Sequence, residues 1–366
     1  MKAIGRRTFL SLPLGYAAAI GVCAATPRRT SIAIRGEDFL INGRPTYEGR
    51  VCHGARVEGL LMNARLIQGI FDDLNPQTRE RWAYPDTGKW DPDRNTREFV
   101  AAMPEWRRHG LLSFTLGLQG GNPVKGAMSQ PWLASGFGPS GSLRPAFLER
   151  LKQILDQADE LGMAPILNPF YFGQDEHFES EAAIERALSN ILGWLLDGGY
   201  RNVLIEMVNE CDSPHYHWEI LKRDRVDELI EMGKRISRGG QRLLIGTSFK
   251  GGVVPAENIV RCADFLLLRA NSRGADPGMI DRLVEQTRKV PGYRPMPMVV
   301  NEDNHYDFER QDCAMLKAVR AHVSWGFYDP GANTYADGFQ SPPVNWTANT
   351  KLKKDFFGLL KEVTGS

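Results

Sequence analysis

The 366-residue chain is short of cysteine and of several signatures that commonly reveal chemistry. Its five cysteines (Cys23, Cys52, Cys211, Cys262 and Cys313) form no C-x-x-C pair, so neither a zinc knuckle nor a dithiol redox motif is indicated. No H-E-x-x-H helix motif and no G-x-S-x-G elbow occurs, which argues against a zincin and a serine hydrolase. A Gly-rich phosphate loop after an early strand is also missing, and with it the usual mark of an open doubly wound nucleotide-binding sheet. There is no charge excess, with 45 basic and 44 acidic residues. Nothing therefore asks for a nucleic acid or an anionic membrane as partner. Low-complexity stretches and interdomain linkers are absent between residues 31 and 363.

What is present begins with an export pattern. Arg6-Arg7 precede Thr8-Phe9-Leu10 and an apolar run to about Val22, followed by the small residues Ala24-Ala25. A basic start, a short apolar middle and small residues form a secretory signal, and paired arginines before Phe-Leu point to the twin-arginine type. The run is shorter than the ~20 residues a spanning helix needs, so residues 1–26 are set apart as a signal peptide and no stable membrane partner is expected. The expected location is periplasmic or extracellular. Cys23 lies near the cleavage zone in a poor lipoprotein box, and an oxidising compartment would permit disulfides among the other four cysteines without the sequence saying which.

Residues 27–366 read as one catalytic domain. Residues 31–48 alternate as a small hairpin, with Ile32 and Ile34, then Phe39 and Ile41, around Gly36-Glu37-Asp38 and Asn42-Gly43 turns. Eight apolar runs then follow, at 66–71, 111–118, 164–168, 203–208, 243–247, 265–268, 298–301 and 323–328. Amphipathic stretches lie between them near 95–109, 145–161, 181–196, 219–236, 276–288 and 309–321, with a closing one near 351–363. Eight strands alternating with helices over about 300 residues predict an α/β fold, a single (β/α)₈ TIM barrel with an N-terminal hairpin.

In such a barrel the active site stands at the C-terminal strand ends. Strand four ends in Asn209-Glu210 and strand seven in Asn301-Glu302. Two glutamates at one rim suit cleavage of an acetal, which needs a proton on the leaving oxygen and a second carboxylate at the anomeric carbon. Other polar residues at strand ends, Asp72, Gln119 and Tyr171, stand where sugar hydroxyls would bind. Asn271, closing strand six, and His305, after strand seven, complete the substrate-binding candidates. His215, His217 and His305 with nearby acids raise a divalent-metal alternative, but without metal-ligand spacing no metal is assigned. Eight tryptophans serve either packing or sugar stacking.

Asn-Glu ending strand four, Glu ending strand seven and Trp325 ending strand eight resemble clan A, the cellulase-like retaining glycoside hydrolases. The lead-in FLINGRPTYEGR is similar to the strand-turn-strand entry of many such enzymes. The resemblance implies Glu210 as acid/base, Glu302 as nucleophile, Asn209 as a 2-hydroxyl contact and Trp325 as a sugar floor. It further implies a carbohydrate substrate and no cofactor. The sequence departs from the clan at strand six, which ends Leu268-Arg269-Ala270-Asn271 rather than in Tyr or His, and at strand seven, where Asn-Glu-Asp-Asn stands. No family within the clan is assigned. A metal-dependent barrel enzyme acting on sugars and a non-catalytic carbohydrate-binding barrel remain the alternatives.

Overall fold

Short apolar strands buried on both faces, each followed by an amphipathic helix, close on themselves in this chain. The computed structural model describes Met1 and residues 28–124, 129–271, 276 and 278–366. The signal peptide read at 1–26 therefore lies, Met1 aside, outside the described residues. The barrel strands are β1 (Asn63–Arg65), β2 (Ser113–Gly117), β3 (Ile166–Asn168), β4 (Leu204–Glu206), β5 (Leu244–Gly246), β6 (Leu266–Arg269), β7 (Met298–Asp303) and β8 (Ser324–Phe327). All pair in parallel, in the order β5-β4-β3-β2-β1-β8-β7-β6. The two ends of that order meet. Ser248 bridges Leu267, and the Asp264 N–H donates to the Ile245 carbonyl at 2.8 Å. A Cβ on Gly246 would stand 2.5 Å from the Phe265 carbonyl oxygen, so this closing seam requires glycine.

The helices are α1 (Pro92–Arg108), α2 (Pro145–Leu161), α3 (Glu181–Asp197), α4 (Val226–Arg235), α5 (Glu257–Cys262), α6 (Met279–Arg288), α7 (Ala314–Arg320) and α8 (Lys351–Thr364). Asp91, Ser180 and Thr350 cap α1, α3 and α8 by accepting a backbone N–H of the first turn. The stripe expected on 145–161 is the buried face of α2, with Phe147, Leu151, Ile154, Leu155 and Ala158. The sequence reading missed α5, whose six residues are too few to show a period. Among the described residues no helix is long and apolar enough to cross a membrane. Cys52, Cys211, Cys262 and Cys313 are all buried and unpaired.

Side chains alternate along a strand, and the alternation sorts the barrel interior into two storeys. Ile166, Leu204, Leu267 and Val299 form an apolar cluster with Leu61, Leu112, Ala164 and Phe265. Phe39, from the hairpin of Ile32–Arg35 and Asp38–Ile41, joins that cluster, its ring 6.2 Å from that of Phe265. The hairpin thus plugs the N-terminal end. Two residues further along the same strands stand Asn168, Glu206, Arg269 and Asn301, all buried. The upper storey is polar, and that explains one correction. The first strand was expected at 66–71 but is Asn63–Arg65, because its inward residues are Asn and Arg and an apolar pattern cannot show them.

Phe39→Ala should cost about 3–5 kcal/mol, the range for a buried Phe whose site cannot collapse. Urea denaturation of the two proteins measures it; a loss under about 1 kcal/mol would mean that the hairpin is not a structural plug.

Candidate active site

Arg65 and Arg269 are the starting point, because a buried guanidinium is tolerated only with acid partners. Each side chain is 2% exposed. Arg65 Nε lies 2.9 Å from Glu302 Oε2, and its Nη2 donates to Asn209 Oδ1 at 2.8 Å. Arg269 Nη1 lies 2.5 Å from the same Glu302 oxygen and 3.0 Å from Glu210 Oε1. Its Nη2 donates to Asn209 Oδ1 and approaches Glu206 Oε1 at 3.6 Å. One nitrogen therefore contacts both candidate carboxyl groups. Those two oxygens can be no further apart than the two contacts laid end to end.

Two irregularities of the backbone make this convergence possible. Register shifts on β6 between Leu268 and Arg269 and on β7 between Val300 and Asp303 set Arg269 beside Glu302. Consecutive residues Asn301 and Glu302 thereby both face inward, as a bulge permits. Asn301 Nδ2 donates to Glu206 Oε1 at 3.2 Å, and Asn271 Nδ2 donates to Glu302 Oε1 at 2.6 Å. After β4 the turn is sharper. Glu210 has φ 49, a left-handed conformation that a residue with a Cβ holds only under constraint. Its N–H donates to Ser248 Oγ at 3.0 Å, and the turn aims Asn209 and Glu210 at one centre.

The electrostatics follow from a count. Glu206, Glu210 and Glu302 face the two guanidinium groups, so full ionisation leaves one surplus negative charge and one proton neutralises the set. Glu210 is where that proton is favoured. Burial pushes its carboxyl above the ordinary value, Arg269 opposes the shift and Glu302 adds to it. Glu210 also has an outlet. Its side chain is 19% exposed and opens on a groove of about 660 Å³, lined also by Phe172, His215, Lys250, Gln130 and Pro131.

Of the residues picked out from the sequence, Glu210, Glu302, Asn209, Asn271 and Tyr171 come together. Asn209 Oδ1 takes both arginines, which fixes the amide orientation and leaves Nδ2 a buried donor with no protein partner. The Tyr171 hydroxyl sits in the field of Arg65, Glu210, Glu302 and Arg269, and burial pushes it up to about 12.

Four candidates are placed elsewhere. Trp325 is 1% exposed, packed between Phe308 and Phe356, with its indole N–H donating to Asp303 Oδ2 at 2.7 Å. It shares the outward parity of Phe327 on β8, so it is core rather than a sugar floor. Gln119 is fully buried and spends its amide on Ser135, Gln174 and the Tyr171 N–H. Asp72 lies seven residues past the true end of β1, where Arg79, Arg150 and the Trp90 indole hold it. His305 Nδ1 contacts Asp303 Oδ1 at 2.5 Å, on the carboxylate that also takes the Trp325 indole.

The sequence reading missed Arg65, Glu206, Arg269 and Tyr328, whose hydroxyl feels Glu302 and both arginines. The signal was available for the arginines, since Leu266-Leu267-Leu268-Arg269 ends an otherwise apolar strand with a charge. Among the described residues no group of three or more His, Cys, Asp or Glu is placed to hold a metal ion.

No protein-family model matches the sequence, and no curated protein matches it either. Solved structures do match in fold. An endo-1,4-beta-mannanase from Rhizomucor miehei is 13% identical, with TM-score 0.56 over 90% of this chain and 99% of that one. A glycoside hydrolase family 5 protein from Bacteroides vulgatus is 14% identical, with TM-score 0.57 over 91% of this chain and 70% of that one. A family 5 mannosidase from Rhizomucor miehei is 12% identical, with TM-score 0.53 over 91% and 97%. The shared fold is the TIM barrel, and these neighbours are enzymes of the class that the strand-end motifs resemble.

A carboxyl whose proton is held more tightly in the folded state costs stability once the unfolded chain has lost that proton. The cost is nil at low pH and grows as pH rises through the ordinary Glu value. Glu210→Gln should therefore stabilise the protein at neutral pH and not at pH 3. Guanidinium denaturation at both pH values checks this; an equal change at both, or a loss at neutral pH only, would contradict the raised carboxyl.

Proposed function

We propose that the chain is an exported glycoside hydrolase that cleaves O-glycosidic bonds of a poly- or oligosaccharide with retention of configuration. The observation that carries the reading is the single Arg269 nitrogen in contact with both glutamates. It keeps those two carboxyl oxygens no further apart than about the 5.5 Å upper end of the spacing that retaining enzymes use, short of the roughly 6.5–9.5 Å of inverting ones. The fold of the glycoside hydrolase neighbours supports the same class. Export rests on the Arg6-Arg7 pattern and the apolar run after it.

Glu302 is the nucleophile. Arg65 and Arg269 form ion pairs with its Oε2 and Asn271 donates to its Oε1, which fixes the carboxylate in place for attack. As a Glu302 oxygen bonds to the anomeric carbon, the bond to the leaving oxygen breaks and that oxygen takes the Glu210 proton. Water then attacks the same carbon, gives its proton to Glu210 and releases Glu302. Asn209 Nδ2 donates to the sugar 2-hydroxyl, a contact that strengthens in the transition state.

A glycan panel with the purified protein identifies the substrate, and proton NMR of the fresh product reads its anomeric form, which should match the substrate. On that substrate Glu210→Gln should lower kcat by about 10²–10⁴-fold, and Glu302→Gln by at least as much, with thermal melting cooperative in both. Undiminished turnover in both variants would remove the assignment. Turnover abolished by a chelator and restored by a divalent ion would move the chain to the metal-dependent class, and binding without turnover to the non-catalytic one.

A further inference from the structure

Arg269 stands where the sequence departs from the clan that it resembles, and its contacts give it more to do than balance charge. The guanidinium is fully enclosed, and the Nη1 contact to Glu302 is shorter than that to Glu210. The charge on Glu302 is not constant in a double displacement. A carboxylate that attacks the anomeric carbon loses its charge while the sugar is esterified to it. Glu210 needs the opposite schedule, holding a proton in the first step and being ionised in the second.

We propose that Arg269 is a positioning residue that passes its charge between the two glutamates, holding Glu302 in the resting site and transferring wholly to Glu210 when Glu302 becomes an ester. The inference rests on the retaining-glycosidase reading for its purpose, and on the shared nitrogen for its geometry. No atom is transferred to or from Arg269. Its Nη1 ion-pair contact with Glu302 Oε2 gives way, and its hydrogen bond to Glu210 Oε1 shortens. Arg65 does not share this role, because its contacts are to Glu302 and Asn209 and none reaches Glu210.

The other charged or titratable groups facing the pair are fixed on separate elements. Arg65 stands on β1, Tyr171 and Glu176 follow β3, Glu206 is on β4 with Asp212 and His215 after it, Lys250 follows β5, and Tyr328 follows β8. Fixed charges act additively on Glu210. A cation that changes partner does not, and this non-additivity distinguishes a relay from a static counter-ion.

The test is a double-mutant cycle read by carbon-13 NMR of the side-chain carboxyls in the full chain, with Glu210 assigned by its loss in Glu210→Gln. Glu302→Gln mimics the ester by removing the charge. In the protein with Arg269 it should lower the Glu210 midpoint by about one pH unit more than in the Arg269→Gln protein. Arg269→Lys keeps a buried cation but lacks the fork, so it serves if the Gln variant does not fold, and it should also shrink the drop. Equal drops with Arg, Gln and Lys, or with Arg and Lys alone, would overturn the relay. On a hydrolysed glycan, Arg269→Lys should lower kcat and KM together while sparing kcat/KM, the mark of a slowed second step; an unchanged kcat would also overturn it. Absence of hydrolysis by the wild type would defeat the glycosidase reading alone and leave the titration cycle to decide Arg269.

Discussion

The upper half of this barrel depends on one electrostatic constraint, the pairing of two buried guanidinium groups with two buried glutamates and a third that is half-buried. Ions cannot be taken out of water singly without a cost of several kcal/mol each. Once Arg65 and Arg269 point inward, Glu206 and Glu302 must meet them, and Glu210 is drawn to the same point. Burial, with Glu302 close by, holds the Glu210 carboxyl above its ordinary value against the pull of Arg269.

The same constraint explains where the fold departs from regularity. Ideal alternation would send Asn301 and Glu302 to opposite faces of β7, and likewise Asn209 and Glu210 after β4. A register shift solves the first conflict and a left-handed residue the second. Both distortions sit where the charges gather, while the lower storey around Phe39 and Leu267 follows the simple alternation. Strain of this kind persists only where surrounding contacts over-determine it. Here the Ser248 hydroxyl, which accepts the Glu210 N–H and donates to Glu206, provides such contacts.

That division also governs how much was legible in the sequence. The barrel class, the hairpin, seven of the eight α-helices among the described residues and the Asn-Glu and Glu strand ends were readable because apolar periodicity and strand-end position carry them. β1 was misplaced because two of its three residues are polar and inward-facing. Trp325 and Phe327 follow the outward parity of their strand, which a residue-type argument about sugar stacking overrides only by mistake. Gln119 and Asp72 show the same limit, since polar residues near strand ends also serve to pin loops. Arg269 was visible as a departure from the clan's pattern, but its reach across three glutamates depends on the β6–β7 register, which no single strand reveals.

The central claim is that Glu302, though only 5% exposed, lies within one sugar's reach of Glu210 and is the group that attacks an anomeric carbon. Incubation with 2-deoxy-2-fluoro glycosyl fluorides, followed by mass spectrometry of proteolytic peptides, tests it most directly. The account predicts one covalent sugar on the peptide that contains Glu302, accumulating as activity is lost. A label on another carboxylate, or loss of activity with Glu302 unmodified, would contradict it.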